Sequence, residues 1–363
     1  MKIEVNRMEV LSRIENAMVA VMEREILEQS NAVVFENGEL ISFNGEILTR
    51  QPSPFGMGVT GGIPAAELVQ VFKRFPDEVL QVETKEGELI IRGKNRSAGM
   101  RMMTEVSLPY KNVPEAGKFG TFSKKLIERI RQASGSCGKN ETNPRSTHVH
   151  VTENMVEATD GFRYFRANFP TGLEREFLIH SAIIGSISKH SLQEISISDE
   201  GWIHFKTTGD LKISCICNIS DYYGRKVFDD IMKAEGKDIE LPENMDDILS
   251  RAEIMEPSIT AIGKAGSRVE ISLSDNRLVI RTEKENGWFK EQKKVSYSGP
   301  TFTFCINPAF LRQMLSKTKK MRVSDHCATM EVEDIQFATA LIRNNKPKQE
   351  TQSAQETEEQ AED

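Results

Sequence analysis

Residues able to do chemistry are sparse in this chain, and each grouping falls short of a reaction centre. The run THVHV places His148 and His150 on one face of a strand, a spacing open to a metal ion. No nearby cysteine or carboxylate motif completes a tetrahedral set, so two satisfied or exposed histidines are the better-supported reading. Asp160 in ATDGFR is a conceivable catalytic acid, yet its place in a turn beside Gly161 already accounts for it. Cys215 and Cys217 share one face of a strand, a poor geometry for redox pairing. GKAGSRVE, residues 263 to 270, lacks the full phosphate-loop pattern and precedes a strand instead of a helix. No nucleophile stands with its base and no nucleotide site is found. The chain is therefore read as no enzyme, with no cofactor expected.

Bulk properties narrow the class further. The 363 residues suffice for two or three cores. The N-terminal MKIEVNRMEVLSRIENAM is charged throughout, without the apolar core of a signal peptide, and no apolar run reaches membrane-spanning length. A cytoplasmic protein with no membrane partner is expected. Five scattered cysteines form no C-x-x-C pair and are expected to be buried thiols. A formal charge of −7 argues against coating nucleic acid by overall positive charge and leaves room for a locally basic surface.

The elements that must position any site repeat along the chain. An alternating strand, a helix-starting residue and an amphipathic helix recur as KIEV-NRMEVLSRI, GGI-PAAELVQVF, GTF-SKKLIERI, FLI-HSAIIGSI, IEL-PENMDDIL and FCI-NPAFLRQML. The junction residues are Asn6, Pro64, Ser123, His180, Pro242 and Asn307, separated by 58, 59, 57, 62 and 65 residues. Asn and Ser cap an orphan backbone N–H, and Pro fits the first turn, where its missing N–H is not needed. After each helix the pattern turns to period-2 alternation broken by Gly, Asn or Asp, as in VEISLSDNRLVIRTE. Each unit reads as strand, helix, then about three antiparallel strands. The fold class is α+β, six such βαβββ half-units pairing into three similar domains, each with two helices on antiparallel sheets. Boundaries are expected near 117 and 236, giving domains 1–117, 118–236 and 237–343. Residues 344–363, NNKPKQETQSAQETEEQAED, are polar and acidic and are expected to be a disordered tail.

This organisation resembles the bacterial sliding clamp, the β subunit of DNA polymerase III. The resemblance covers residues 1 to 343, and its specific carriers are ATDGFR (158–163), SDYYGRKV (220–227), VEISLSDNRLVIRTE (269–283) and INPAFLRQML (306–315). It implies a head-to-tail homodimer, domain 1 of one chain against domain 3 of the other, closing a ring around duplex DNA. Such a ring needs no catalytic residue. It encircles DNA without reading sequence and tethers a DNA polymerase by raising its effective concentration.

The resemblance assigns a partner-peptide pocket for the polymerase, the clamp loader and other proteins with a clamp-binding motif. Its residues are Thr159, Gly161, Phe162, Arg163 and Tyr164, then Arg225, Lys226 and Val227, Asn307 and Phe310, Cys327 and Thr329, and Ala340, Leu341, Ile342 and Arg343. Locally, the Asp160-Gly161 pair between alternating runs is a hairpin signal. The sequence departs from the family at Phe162, commonly His, at Ser220, commonly Pro, and at the ALIR ending, commonly Met-Pro-Met-Arg, so an altered pocket and altered partner preference are expected. The acidic tail following the last strand is a candidate competitor for that pocket.

Charge along the helices is uneven. Residues 123–139 hold five basic residues against one acid and 307–320 four against none, whereas 242–256 hold one against five. The candidates for phosphate contact are Lys124, Lys125, Arg129, Arg131, Lys189, Arg312, Lys317, Lys319 and Lys320. For Lys319 and Lys320, complementing a helix dipole is an equal alternative. By family position the dimer contact joins Met102 and Met103 to Ile254 and Met255, with ordinary core as the alternative. Two rival functions stand beside the clamp: a diverged, for instance virus-encoded, clamp that sequesters partners or pairs with another clamp, and a metal- or ligand-binding β-rich module using the His148 face.

Overall fold

A computed structural model of the protein describes residues 2–139, 144–218, 222, 225–255, 267–284 and 287–343. Among these, the helices are α1 (Arg7–Ala17), α2 (Ala65–Arg74), α3 (Leu126–Ser134), α4 (Pro144–Thr147), α5 (Ser181–Ile187), α6 (Arg225–Met232), α7 (Met245–Ala252) and α8 (Pro308–Leu315). The half-unit of strand, helix and three antiparallel strands recurs six times, starting at Lys2, Gly61, Gly120, Phe177, Lys237 and Phe302. The helices α4 and α6 are additions that the repeat does not predict.

Local chemistry sets the helix starts. Asn6 Oδ1 accepts from the Met8 and Glu9 amides at 2.9 and 3.1 Å, and Asn307 Oδ1 from those of Ala309 and Phe310 at 2.9 and 3.4 Å. The His180 ring does the same through Nδ1, accepting from the Ala182 amide at 3.2 Å. Two starts fall later than the sequence suggests. The Ser123 carbonyl accepts from Leu126 N–H and the Pro242 carbonyl from Met245 N–H, so a tight turn precedes each helix and Lys125 and Asn244 take the capping position.

The chain divides into two compact units, residues 1–232 with 331–338, and residues 233–330 with 339 onward. In the first unit, strands Lys2–Asn6, Val79–Lys85, Glu88–Gly93 and Arg96–Arg101 form one antiparallel sheet in that order. A second sheet runs Gly61–Pro64, Ala32–Glu36, Glu39–Phe43, Ile47–Pro52, Lys212–Ile216, Trp202–Thr207, Leu192–Ile197 and Gly120–Thr121. A third places Phe177–His180, His148–Val151, Met155–Thr159 and Arg163–Asn168 in order, with residues 335–338 next. Between the first two sheets, α1 and α2 bury Leu11, Ile14, Leu68 and Phe72 against Phe35, Phe55, Leu80 and Ile91. Each such side chain contributes roughly 1.5–3 kcal/mol by leaving water.

In the second unit, Phe302–Ile306, Val269–Ser274, Arg277–Lys284 and Gly287–Lys294 form an antiparallel sheet, the last being an edge strand. Alternation holds with one exception. Val269, Ile271, Leu273, Leu278, Ile280, Phe304 and Ile306 are buried with Ile248, Leu249, Leu311 and Met314 of α7 and α8, while the intervening residues are half-buried or exposed except Cys305, which is buried too. Strands Lys237–Glu240, Lys320–Val323 and Cys327–Val332 are antiparallel neighbours. The cysteines behave as expected with one exception: Cys137, Cys215, Cys217 and Cys305 are buried, and Cys327 is half-buried.

Candidate partner-binding and phosphate-facing surfaces

The ATDGFR turn is built by its own side chains. Gly161 takes φ +87°, which L side chains rarely adopt. Thr159 Oγ1 accepts from Gly161 N–H at 3.0 Å and donates to the Arg163 carbonyl at 2.7 Å. Asp160 Oδ1 accepts from the Phe162 and Arg163 amides, both at 2.9 Å, and its Oδ2 from Arg163 Nε at 2.9 Å. Asp160 is thus a turn former, and Arg163 is tied to it. The turn leaves Phe162 52 % exposed, a large apolar ring held in water at the tip.

Behind the turn lies a buried polar row that the sequence did not reveal. His150 stands opposite Glu157, and Glu157 opposite Arg166, across three adjacent strands. Glu157 is fully buried and accepts from Tyr164 Oη at 2.5 Å and Arg166 Nε at 3.0 Å, with His150 Nδ1 at 2.9 Å from its other oxygen. Burial alone would raise the Glu157 carboxyl, but hydrogen bonds from His150 and Tyr164 and the Arg166 charge outweigh it and hold the group below its ordinary value. Burial, then the Glu157 charge, pushes the Tyr164 phenol up.

The row fastens α6. Arg166 Nη1 donates to Asp229 at 2.5 Å, the guanidinium lies 4.5 Å from the Phe228 ring centre, and the Tyr164 ring stacks on Phe228 at 4.0 Å and 16°. Tyr164, Phe228 and Ala338 form a small core that Ile231 and Met232 join. With Phe228 inward, α6 turns Lys226 and Val227 to solvent, Val227 being 63 % exposed. Of the predicted pocket residues in this unit, Thr159 and Tyr164 are therefore buried, whereas Phe162, Lys226 and Val227 are exposed. The side chain of Arg225, and Ser220, lie outside the described residues. The two histidines have separate neighbours: His150 also stacks on Tyr222 at 4.7 Å, while His148 meets His180 edge-on at 5.0 Å and Thr147 Oγ1 at 3.0 Å.

In the second unit, Asn307 caps α8, Phe310 and Thr329 are buried, and Cys327 Sγ lies 3.1 Å from Ser324 Oγ. Leu341 N–H donates to the His326 carbonyl and Ile342 N–H to the Cys305 carbonyl, both at 2.8 Å. This pins the chain after Ala340 while Leu341 and Ile342 stay half-buried and Arg343 exposed. Residues 344–363 lie outside the described residues.

The basic candidates separate into two sets. Lys124, Lys125, Arg131, Lys189, Lys317 and Lys320 are exposed. Arg129 is not available to a phosphate. It lies on the buried stripe of α3 with Leu126, Ile130 and Ala133, and its Nε and Nη2 donate to the two oxygens of Asp334 at 3.0 and 2.7 Å. Burial alone would raise the Asp334 carboxyl, but the Arg129 hydrogen bond and charge, a backbone hydrogen bond and the Lys125 charge together outweigh it and hold it below its ordinary value. Arg312 is likewise engaged, 3.0 Å from Asp246 and 2.9 Å from Glu253, so two of the acids in 242–256 that disagreed with a basic lining are partners of α8. Lys319 Nζ donates to the Leu315 carbonyl at 3.1 Å, the helix-end role.

No protein-family profile matches the chain, and no curated protein matches it. Solved structures do. A sliding clamp from Pseudomonas aeruginosa, solved with griselimycin, matches over 95% of this chain and 100% of its own at TM-score 0.79 and 14% identity. The DNA polymerase III β chain of Streptococcus pneumoniae matches over 94% and 100% at 0.79 and 17% identity, and the Bacillus subtilis sliding clamp over 95% and 99% at 0.75 and 15%. This chain has the sliding-clamp fold.

Within that clamp fold, the residues expected at a chain-to-chain contact fare differently. Met102 packs against the core of α1 and α2, and Met103 exchanges two backbone hydrogen bonds of 2.8 Å with Gly62. Gly61 adopts φ +129°, and a Cβ there would stand 2.7 Å from the Met103 carbonyl oxygen, so this crossing tolerates no side chain. Ile254 is 72 % exposed. The side chain of Met255 lies outside the described residues. Each four-stranded sheet of the clamp fold ends in an edge strand, Arg96–Arg101 in one unit and Gly287–Lys294 in the other.

Proposed function

We propose that this protein is a DNA sliding clamp. In this reading the chain has three domains, 1–117, 118–236 and 237–343, and closes head to tail into a homodimeric ring in the cytoplasm. The ring encircles duplex DNA without sequence preference and tethers a DNA polymerase, with a clamp loader and other motif-bearing proteins as further partners. It does no chemistry of its own. The observation that carries the reading is the agreement in fold, over nearly the whole chain, with clamps from three bacteria. Two sheets ending in edge strands give ring closure a means, since an edge strand presents unpaired N–H and C=O groups to a partner. The exposed set Lys124, Lys125, Arg131, Lys189, Lys317 and Lys320 is the proposed phosphate-facing surface. Phe162, Lys226 and Val227 with Leu341, Ile342 and Arg343 are the proposed contacts for a partner peptide, whose apolar side chains would cover the exposed ring and valine.

One observation favours the second reading, a diverged clamp that sequesters partners without supporting synthesis. Arg129 and Arg312 are engaged by carboxylates, which thins the phosphate-facing set. Retention on circular against linearised DNA after loading, at high salt, separates the two. Salt-resistant retention on circles with loss from linear ends is expected of a clamp, because phosphate contacts alone fade steeply with salt. Salt-sensitive binding equal on both forms would leave only the diverged reading.

A further inference from the structure

Among the described residues, the outer face of the four-stranded sheet in the second unit carries an exposed surface on its edge strand with its own chemistry. Period-2 alternation sends Trp288, Lys290, Gln292 and Lys294 of the edge strand outward, beside Glu283, Arg281, Val279 and Arg277 of its neighbour. Trp288 is 63 % exposed. Four cations thus share this face with an exposed indole: Lys290 and Arg281 form the next outward pair along the strands, whereas Lys294 and Arg277 pair about 20 Å further on, against Glu283 opposite Trp288 and, one strand further, Glu270. Of the four, Arg281 pairs with Glu283 at 3.1 Å.

The last described residues lie at this sheet. Ile342 is hydrogen-bonded to Cys305, and one cross-strand row runs Cys305, Glu270, Arg281, Lys290. Three strand spacings, about 14 Å, therefore separate the exit point from Lys290. The seven residues 343–349 span up to about 24 Å. Beyond them, residues 350–363 carry Glu350, Glu356, Glu358, Glu359, Glu362 and Asp363 and no basic residue, leaving 47 basic against 48 acidic residues in the rest of the chain. Nearly all the net negative charge of the protein is concentrated within reach of its basic, aromatic sheet face.

We propose that residues 350–363 dock on this face, their carboxylates against Lys290, Lys294 and Arg277 and their backbone across the Trp288 ring. The tethered segment occupies the face at an effective concentration in the millimolar range, so individually weak exposed ion pairs suffice. It also holds the tail on the sheet and away from the last strand, leaving Leu341 and Ile342 uncovered.

The chain has two tryptophans, and Trp202 packs against Phe43 at 6.3 Å, so a Trp202→Phe background makes Trp288 the sole tryptophan, excited selectively over the tyrosines at the red edge of the absorption band. In that background a chain ending at residue 349 is expected to show stronger acrylamide quenching than the full chain. The difference is expected to vanish at about 1 M salt, where the Debye length is about 3 Å. Peptide 350–363 added in trans at about millimolar concentration should restore protection, and Lys290→Glu with Lys294→Glu should mimic truncation with the tail present. Equal quenching of full and truncated chains at low salt overturns the proposal. So does protection of the truncated chain by an oligothymidylate and not by the peptide, which would make nucleic acid the occupant.

Discussion

Two arginines, one in each unit, bridge carboxylates to very different effect. Arg166 sits 4 % exposed between Glu157 and Asp229 and holds α6 to a sheet, with Tyr164 and His150 satisfying the rest of Glu157. Arg312 joins α8 to Asp246 of α7 and to Glu253 just after it, at a surface where water competes for every partner. Removing Arg166 would leave the Glu157 carboxylate fully buried without its cationic guanidinium partner, whereas removing Arg312 leaves carboxylates that water reaches. Ion pairs of one chemical type thus specify structure in one place and decorate it in the other, and burial decides which.

The sharpest way to break this contrast is Arg166→Ala, expected to destabilise the first unit by about 3–5 kcal/mol, read as a lowered denaturant midpoint with α6 released. The same cluster sets a pH response. Because Glu157 is held below its ordinary value of 4.5, the stability it contributes is present above that pH and lost as the pH falls through the lower folded value. Glu157→Gln is expected to flatten that acid limb in a midpoint-against-pH series. Tyr164→Phe removes one donor and keeps the ring on Phe228, so a loss of about 1–3 kcal/mol is expected in the same denaturation assay. Arg312→Ala should cost no more than about 1 kcal/mol; a loss matching that of Arg166 would erase the distinction. Smallest in stability, Phe162→Ala should leave the midpoint within about 0.5 kcal/mol while weakening capture of a polymerase-derived clamp-binding peptide in a polarisation titration.

What the sequence revealed follows the range of the forces involved. Helix caps and strand alternation act over a few residues, so all six half-units and the junctions at Asn6, His180 and Asn307 were legible. The starts after Ser123 and Pro242 came late because a turn intervenes. Arg129 was misread by counting charge without phase: positions 126, 129, 130 and 133 mark one helical stripe, and that signal was present in the sequence. The Glu157 row was not legible, since His150, Glu157 and Arg166 become neighbours only once strand register is known. Helix α6 escaped because SDYYGRKV was read as a binding motif and not as the start of an element.

The uneven burial of the cysteines makes the native protein its own reporter. Burial pushes the Cys137 and Cys217 thiols up to about 12 and raises Cys215 as well, so at neutral pH they are almost wholly protonated and shielded from reagents. Cys305 is buried, and Cys327 alone is half-buried, on the second strand after α8, which carries the buried Thr329. A maleimide dye offered briefly to the unmodified chain therefore labels one position first. If that position lies where a partner's peptide settles, the rate of labelling becomes a clock for occupancy, readable without altering a single residue.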